Sequence, residues 1–76
     1  MFTVAVQREE RAGEWVDTPA MQRWFAGYNA AVQHMRQQIK QNKRERNRFG
    51  EHVYKLRFEI RHEDDWDTVL AVGGAE

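Results

Sequence analysis

The spacing of apolar residues near the start of the chain predicts two short strands. Apolar side chains fall at every second position over residues 2–7, which is the period of a strand with one buried face. A charged segment ending in Gly13 suits a loop, and residues 14–17 can return as a second strand. Its register stays open, because either Trp15 or Val16 can face the core.

The longest pattern predicts one helix over residues 19–48. Thr18 offers an N-cap hydroxyl, and Pro19 suits the first helical position because its φ is already helical. Gly50 is well placed to end the helix in a left-handed cap, while Trp24 falls beside the apolar stripe. The stripe has the three-and-four spacing of a helix face and consists of Met21, Phe25, Tyr28, Val32, Met35 and Ile39.

The last third of the chain predicts a hairpin. Strict alternation of apolar and charged residues indicates a strand over residues 52–62, and residues 66–72 form a second apolar run. A three-residue loop, 63–65, keeps the apolar side chains of both strands on one face, whereas a loop one residue longer or shorter would not. The predicted pairs are Ile60 with Thr68, Phe58 with Leu70, Leu56 with Val72 and Arg61 with Asp67.

These elements predict a single α+β domain over residues 1–76, in the order ββ-α-ββ. The strands would form an antiparallel sheet of about four strands, with the long amphipathic helix on one face. A helix of 30 residues would be about 45 Å long, and a strand of six to nine residues only about 20–30 Å. We therefore expect residues 40–48, which hold no large apolar side chain, either to project beyond the sheet or to break near residues 41–42.

Composition limits the compartment and the kind of core. The chain has 76 residues, 12 basic and 12 acidic side chains, and no cysteine, so disulfides and thiolate metal sites cannot reinforce its small core. Apolar runs are a few residues long, which excludes a transmembrane helix, and the first residues lack the pattern of a signal peptide. We expect a cytoplasmic protein that does not bind membranes.

Charge is unevenly distributed and marks two candidate partner-binding sites. The first, called here the basic stripe, follows helical spacing and consists of Arg36, Lys40, Lys43, Arg44 and Arg48. The second, called here the acidic turn, consists of Asp64, Asp65, Trp66 and Asp67. Each also has a structural explanation: cations suit the C-terminal end of a helix, and acids suit a solvated turn on whose sheet Trp66 packs.

The sequence indicates no catalytic chemistry, no cofactor and no metal site. The acids lack the spacing of a calcium loop, and no Ser, Cys or Thr has the context of a nucleophile. His52 and His62 bracket one strand and are separated by about 33 Å, so they cannot share a metal with each other, and His34 lies on the helix. We therefore expect a protein that is not an enzyme.

In its size, organisation and lack of catalytic residues, the chain resembles small phage-encoded inhibitors, including anti-CRISPR proteins. The resemblance implies a partner protein such as a host nuclease complex, reached by the acidic turn in a cationic channel or by the basic stripe on an acidic surface. An alternative is a nucleic-acid-binding regulator that uses the basic stripe, although the aromatic residues are expected on the apolar faces and not among the bases. A homodimer through the distal helices or the sheet edges is a third possibility.

Overall fold

The computed structural model describes residues 1–74 and confirms an α+β fold, in which one long helix packs on an antiparallel sheet of five strands. A short 3₁₀ turn precedes the third strand, and a second one follows the helix. The strands are β1 (Phe2–Arg11), β2 (Glu14–Asp17), β3 (Arg23–Phe25), β4 (Lys55–His62) and β5 (Asp65–Gly74); the helix is α1 (Tyr28–Phe49); the 3₁₀ turns are Pro19–Met21 and Gly50–His52.

The sheet is built around β1 and β4, which pair along almost their whole length. Strand β5 lies beyond β4 and forms one edge, while β2 and β3 pair with successive parts of β1 at the other edge. All of these pairings are antiparallel. A strand that follows β2 along the same edge was not predicted, so the sheet has one strand more than expected.

The predicted start of the long helix at residue 19 is wrong. Pro19 does open a helical turn, but that turn is a single 3₁₀ turn, and residues 23–25 then pair with β1 as β3. The α-helix begins only after Gly27, whose extended backbone serves as the N-cap. Residues 23–25 form backbone hydrogen bonds with the edge of β1. These tertiary hydrogen bonds outweigh the helical spacing of Met21 and Phe25, which by itself is a weak signal.

The core lies between α1 and the adjacent face of the sheet. Strands β1 and β4 contribute the fully buried side chains at its centre, and the helix contributes two buried residues one turn apart. Partly buried residues, including Phe2, Phe25 and Ile39, close its margins. The buried apolar residues are Val4, Val6, Ala31, Met35, Phe58 and Ile60.

The distal half of α1 neither breaks nor stands clear of the sheet. The helix is continuous to Phe49, and Gly50 ends it with a positive φ of 62°, as its position predicts. Asn42 lies in the segment without apolar side chains, yet only 7% of it is exposed. Its side-chain amide donates to the Tyr54 carbonyl at 2.9 Å and accepts from the Leu56 amide at 3.3 Å, which fixes the distal helix to the beginning of β4.

The predicted register of the final hairpin is also wrong. The turn contains two residues, with His62 opposite Asp65, and the pairing shifts twice before Ile60 meets Ala71 and Phe58 meets Gly73. A Cβ atom at Gly73 would lie 2.6 Å from Ile39 Cδ1, so the helix leaves room on this face of β5 only for small residues. The larger apolar residues of β5 are therefore left exposed: Val69, Leu70 and Val72.

Candidate interaction surfaces

The face of the sheet opposite α1, called here the open face, carries the side chains that alternate with the core residues of β1 and β4. Since Val4 and Val6 face the helix, Ala5 and its cross-strand partner Glu59 face away from it. Within residues 1–74, α1 is the one α-helix, and it packs on the other face. The open face is therefore a surface on which a partner can be placed.

All three tryptophans of the chain lie on or beside the open face. Trp24 is paired with Thr3 and Trp15 with Glu9, whose side chains both point away from the helix. The Trp66 ring lies 5.7 Å from the guanidinium carbon of Arg61. Trp24 is 58% exposed and Trp66 is 46% exposed, which is unusual for residues of this size and marks an apolar surface available to a partner.

The arginines of the open face are already engaged within the protein. Arg57 Nε donates to Gln7 Oε1 at 2.9 Å, and the guanidinium stacks on Trp15 at 4.6 Å from the ring centroid. Arg61 pairs with Glu59 at 2.8 Å and also donates to the Trp66 carbonyl oxygen. The surface is thus aromatic and nearly neutral. Two tryptophans of this face lie against arginines, Trp15 against Arg57 and Trp66 against Arg61, although neither arginine belongs to the basic stripe.

Trp24 is the residue of this surface that sequence reasoning missed. It was assigned to the helix, beside the apolar stripe, and its exposure follows only from the pairing of β3 with β1. The segment Arg23-Trp24-Phe25 carries no alternating signal, since Arg23 and Trp24 are both exposed and Phe25 is half-buried.

The acidic turn is held in place by local contacts. Asp65 accepts a hydrogen bond from the Thr68 hydroxyl at 2.7 Å, and the Asp64 amide donates to His62 Nδ1 at 3.1 Å. Glu63 pairs with the amino group of Met1, whose hydrogen bond and charge lower the pKa of that carboxyl. These contacts leave the Asp64 side chain 86% exposed, and the exposed acids flank Trp66 in the sequence.

The basic stripe lies on α1, and all five of its residues are exposed. Within residues 1–74, none of the five forms an ion pair, although the Arg48 guanidinium lies 5.3 Å from the Phe49 ring centroid. The stripe extends about 18 Å along the helix axis. Because α1 covers the other face of the sheet, the structure does not bring the basic stripe together with the open face.

His34 and His62 make separate local contacts. The ring of His34 lies 5.0 Å from that of Phe25, and His62 meets the ring of Phe2 edge-on at 4.8 Å. Burial, together with the nearby positive charge of Arg23, lowers the pKa of His34 and favours its neutral form. In the part of the chain that the structure describes, no three His, Asp or Glu side chains are grouped closely enough to hold a metal ion.

Comparison with family models, with curated proteins and with solved structures finds no match to this chain. No helix among residues 1–74 combines the length and apolar character needed to cross a bilayer.

Proposed function

We propose that this protein is a non-enzymatic protein–protein interaction module whose partner docks on the open face, around Trp24 and Trp66. The observation that carries the proposal is the exposure of these two indoles on the sheet face opposite α1. Tryptophan is enriched among the residues that dominate binding energy at protein interfaces, where it fills a pocket of the partner.

Charge favours a protein partner at this face over a nucleic acid. Binding to a phosphate backbone depends on cations that can replace counterions. Arg57 and Arg61 are instead committed to internal hydrogen bonds, and exposed carboxylates lie beside Trp66. A phosphate backbone would be repelled there, whereas a protein surface with an apolar pocket and a basic rim is complementary.

The resemblance to small phage-encoded inhibitors suggests the kind of partner. We propose that the target is a nuclease or another nucleic-acid-binding complex in the cytoplasm. Asp64 and Asp67 would meet the cationic surface that normally holds phosphates, while Trp66 anchors the contact beside them. Inhibition would then arise from occupation of the nucleic-acid site and would need no catalysis.

Replacing Trp66 with alanine is expected to weaken partner binding about 30-fold, which corresponds to the loss of an anchor contributing about 2 kcal/mol. The measurement uses tagged wild-type and Trp66→Ala proteins as parallel baits in host lysate, followed by titration of the purified partner. Phe49→Ala is the matched control, because Phe49 is an aromatic residue with 51% exposure at the end of α1. Equal loss in both variants, or in neither, would contradict the assignment of the open face.

A second candidate function, nucleic-acid binding, is favoured by the five exposed cations of the basic stripe, which form no ion pair with the residues that the structure describes. If it holds, wild-type protein will retard single- or double-stranded nucleic acid at low salt, with an affinity that falls steeply as salt rises. Replacing Arg36, Lys40 and Arg44 with glutamate should abolish this retardation, while Trp66→Ala should leave it unchanged. Failure of the wild-type protein to bind at low salt would remove this candidate.

A further inference from the structure

The outer edge of β5 has the properties of a strand that pairs with another strand. Within residues 1–74, no strand pairs with this edge, and β5 runs for ten residues. Natural edge strands are usually protected by charged side chains, especially lysine, by proline, by β-bulges or by a covering segment. Strand β5 has acids at its beginning and two register shifts in its pairing with β4, but it contains neither lysine nor proline, and Val69, Leu70 and Val72 are 39%, 43% and 66% exposed.

Charge changes sign along this edge. The beginning of β5 carries the acids of the acidic turn, including Asp65 and Asp67. Its end, at Gly73 and Gly74, borders a groove in which basic residues, including Lys43 of α1 and Lys55 of β4, outnumber the one acid, Glu51. Ten residues of strand separate the two ends by about 30 Å, so each end presents its own charge to a neighbouring molecule.

We propose that the partner of this edge is a second copy of the chain, with the two β5 strands antiparallel about a twofold axis near Val69 and Leu70. An antiparallel arrangement sets the acidic beginning of each β5 against the basic end of the other, and the twofold axis repeats this contact. A parallel arrangement would oppose acid to acid. The charge pattern therefore favours a second copy of the chain as the partner of this edge. It also favours antiparallel over parallel pairing of the two β5 strands.

The assembly would be a continuous sheet of ten strands with both helices on one side. Val69 and Leu70 would be covered near the axis, and the open faces of the two copies would be joined into one surface. The inference concerns the sheet edge and does not depend on the partner proposed for the open face. The mass of the protein in solution tests the proposed pairing of the β5 edges. The partner affinity of the Trp66 variant tests the proposed docking on the open face.

Charge reversal at the two ends of β5 gives a matched pair of variants. Asp65→Lys with Asp67→Lys makes both ends of β5 basic, and Lys43→Glu with Lys55→Glu makes the lysine-lined end acidic. Each variant alone would repel its own copy at two contacts. In a dimer of one variant with the other, opposite charges would again face each other at both contacts. Dimerisation of the mixture would therefore also show that each variant is folded.

Sedimentation equilibrium at low salt is expected to show wild-type mass rising from 9.1 kDa towards twice that value as concentration approaches the millimolar range. Each variant alone should dimerise at least about tenfold more weakly, and the equimolar mixture should return to wild-type affinity. A monomeric wild type, variants that dimerise like the wild type, or a mixture no stronger than its components would each overturn the proposal.

Cysteine substitution tests the same contact without altering charge. The chain has no cysteine, so Leu70→Cys introduces a single thiol close to the proposed axis. Under mild oxidation it should form disulfide-linked dimers at least about tenfold faster than Glu14→Cys, which places a thiol on β2 at the opposite edge. Equal rates for the two variants would overturn the proposed pairing.

Discussion

Phe58→Ala is expected to lower the free energy of unfolding by about 3–5 kcal/mol, the range observed when a buried phenylalanine is truncated. Phe58 is fully buried on β4, the strand between β1 and β5, and belongs to the core that α1 covers. Its removal leaves a cavity that neighbouring strands cannot close without breaking their pairing. A 76-residue domain has a total free energy of unfolding of roughly 4–11 kcal/mol, so this variant should be close to unfolded.

The measurement is urea denaturation followed by circular dichroism, with Val72→Ala as the control. Val72 lies on the neighbouring strand of the same sheet but is 66% exposed, so its truncation should cost less than about 0.5 kcal/mol. Similar midpoints for the two variants would mean that the sheet is not packed against α1 through Phe58.

Asn42→Ala is expected to destabilise the protein by about 2–3 kcal/mol, because it leaves two backbone groups without their partner. Asn42 binds the Tyr54 carbonyl oxygen and the Leu56 amide, and these are the hydrogen bonds that hold the distal part of α1 to β4. Amide hydrogen exchange of residues 40–48 should accelerate more than that of residues 31–35, the segment that contributes Ala31 and Met35 to the apolar core.

Asn47→Ala is the matched control for this prediction. Asn47 lies in the same helix, but it is exposed, and both substitutions gain the same helical propensity from alanine. The difference in unfolding free energy between the variants therefore isolates the contribution of the buried amide. Equal effects of the two substitutions on stability would show that the Asn42 side chain does not hold the distal part of α1 to β4.

The fold class followed from the sequence because its strongest patterns are local. The alternation over residues 54–61 and the spacing of Val32, Met35 and Ile39 require only neighbouring side chains, and the structure confirms both patterns. The helix start was not predictable in this way. Residues 19–25 continue the helical spacing, and the edge of β1 that draws residues 23–25 into a strand is distant in sequence.

The interaction surfaces were predictable to different degrees. The basic stripe and the acidic turn are local charge clusters, and their residues are exposed as a sequence pattern can suggest. The open face depends on register: β3 orients Trp24, and the shifted β4–β5 pairing leaves Val72 opposite Glu59. The role of Asn42 could not be predicted for the same reason, because the backbone groups that its side chain binds lie more than ten residues away in the sequence.

The central claim, that a partner protein covers the open face, is tested most directly by hydroxyl-radical footprinting of the purified complex. Because this method reports side-chain exposure residue by residue, we predict that oxidation of Trp24 and Trp66 falls at least about fivefold on binding, as expected for residues that become buried at an interface core. Phe49 and Tyr54, which are exposed away from that face, should keep their rates. Unchanged rates at both tryptophans in a saturated complex would contradict the claim.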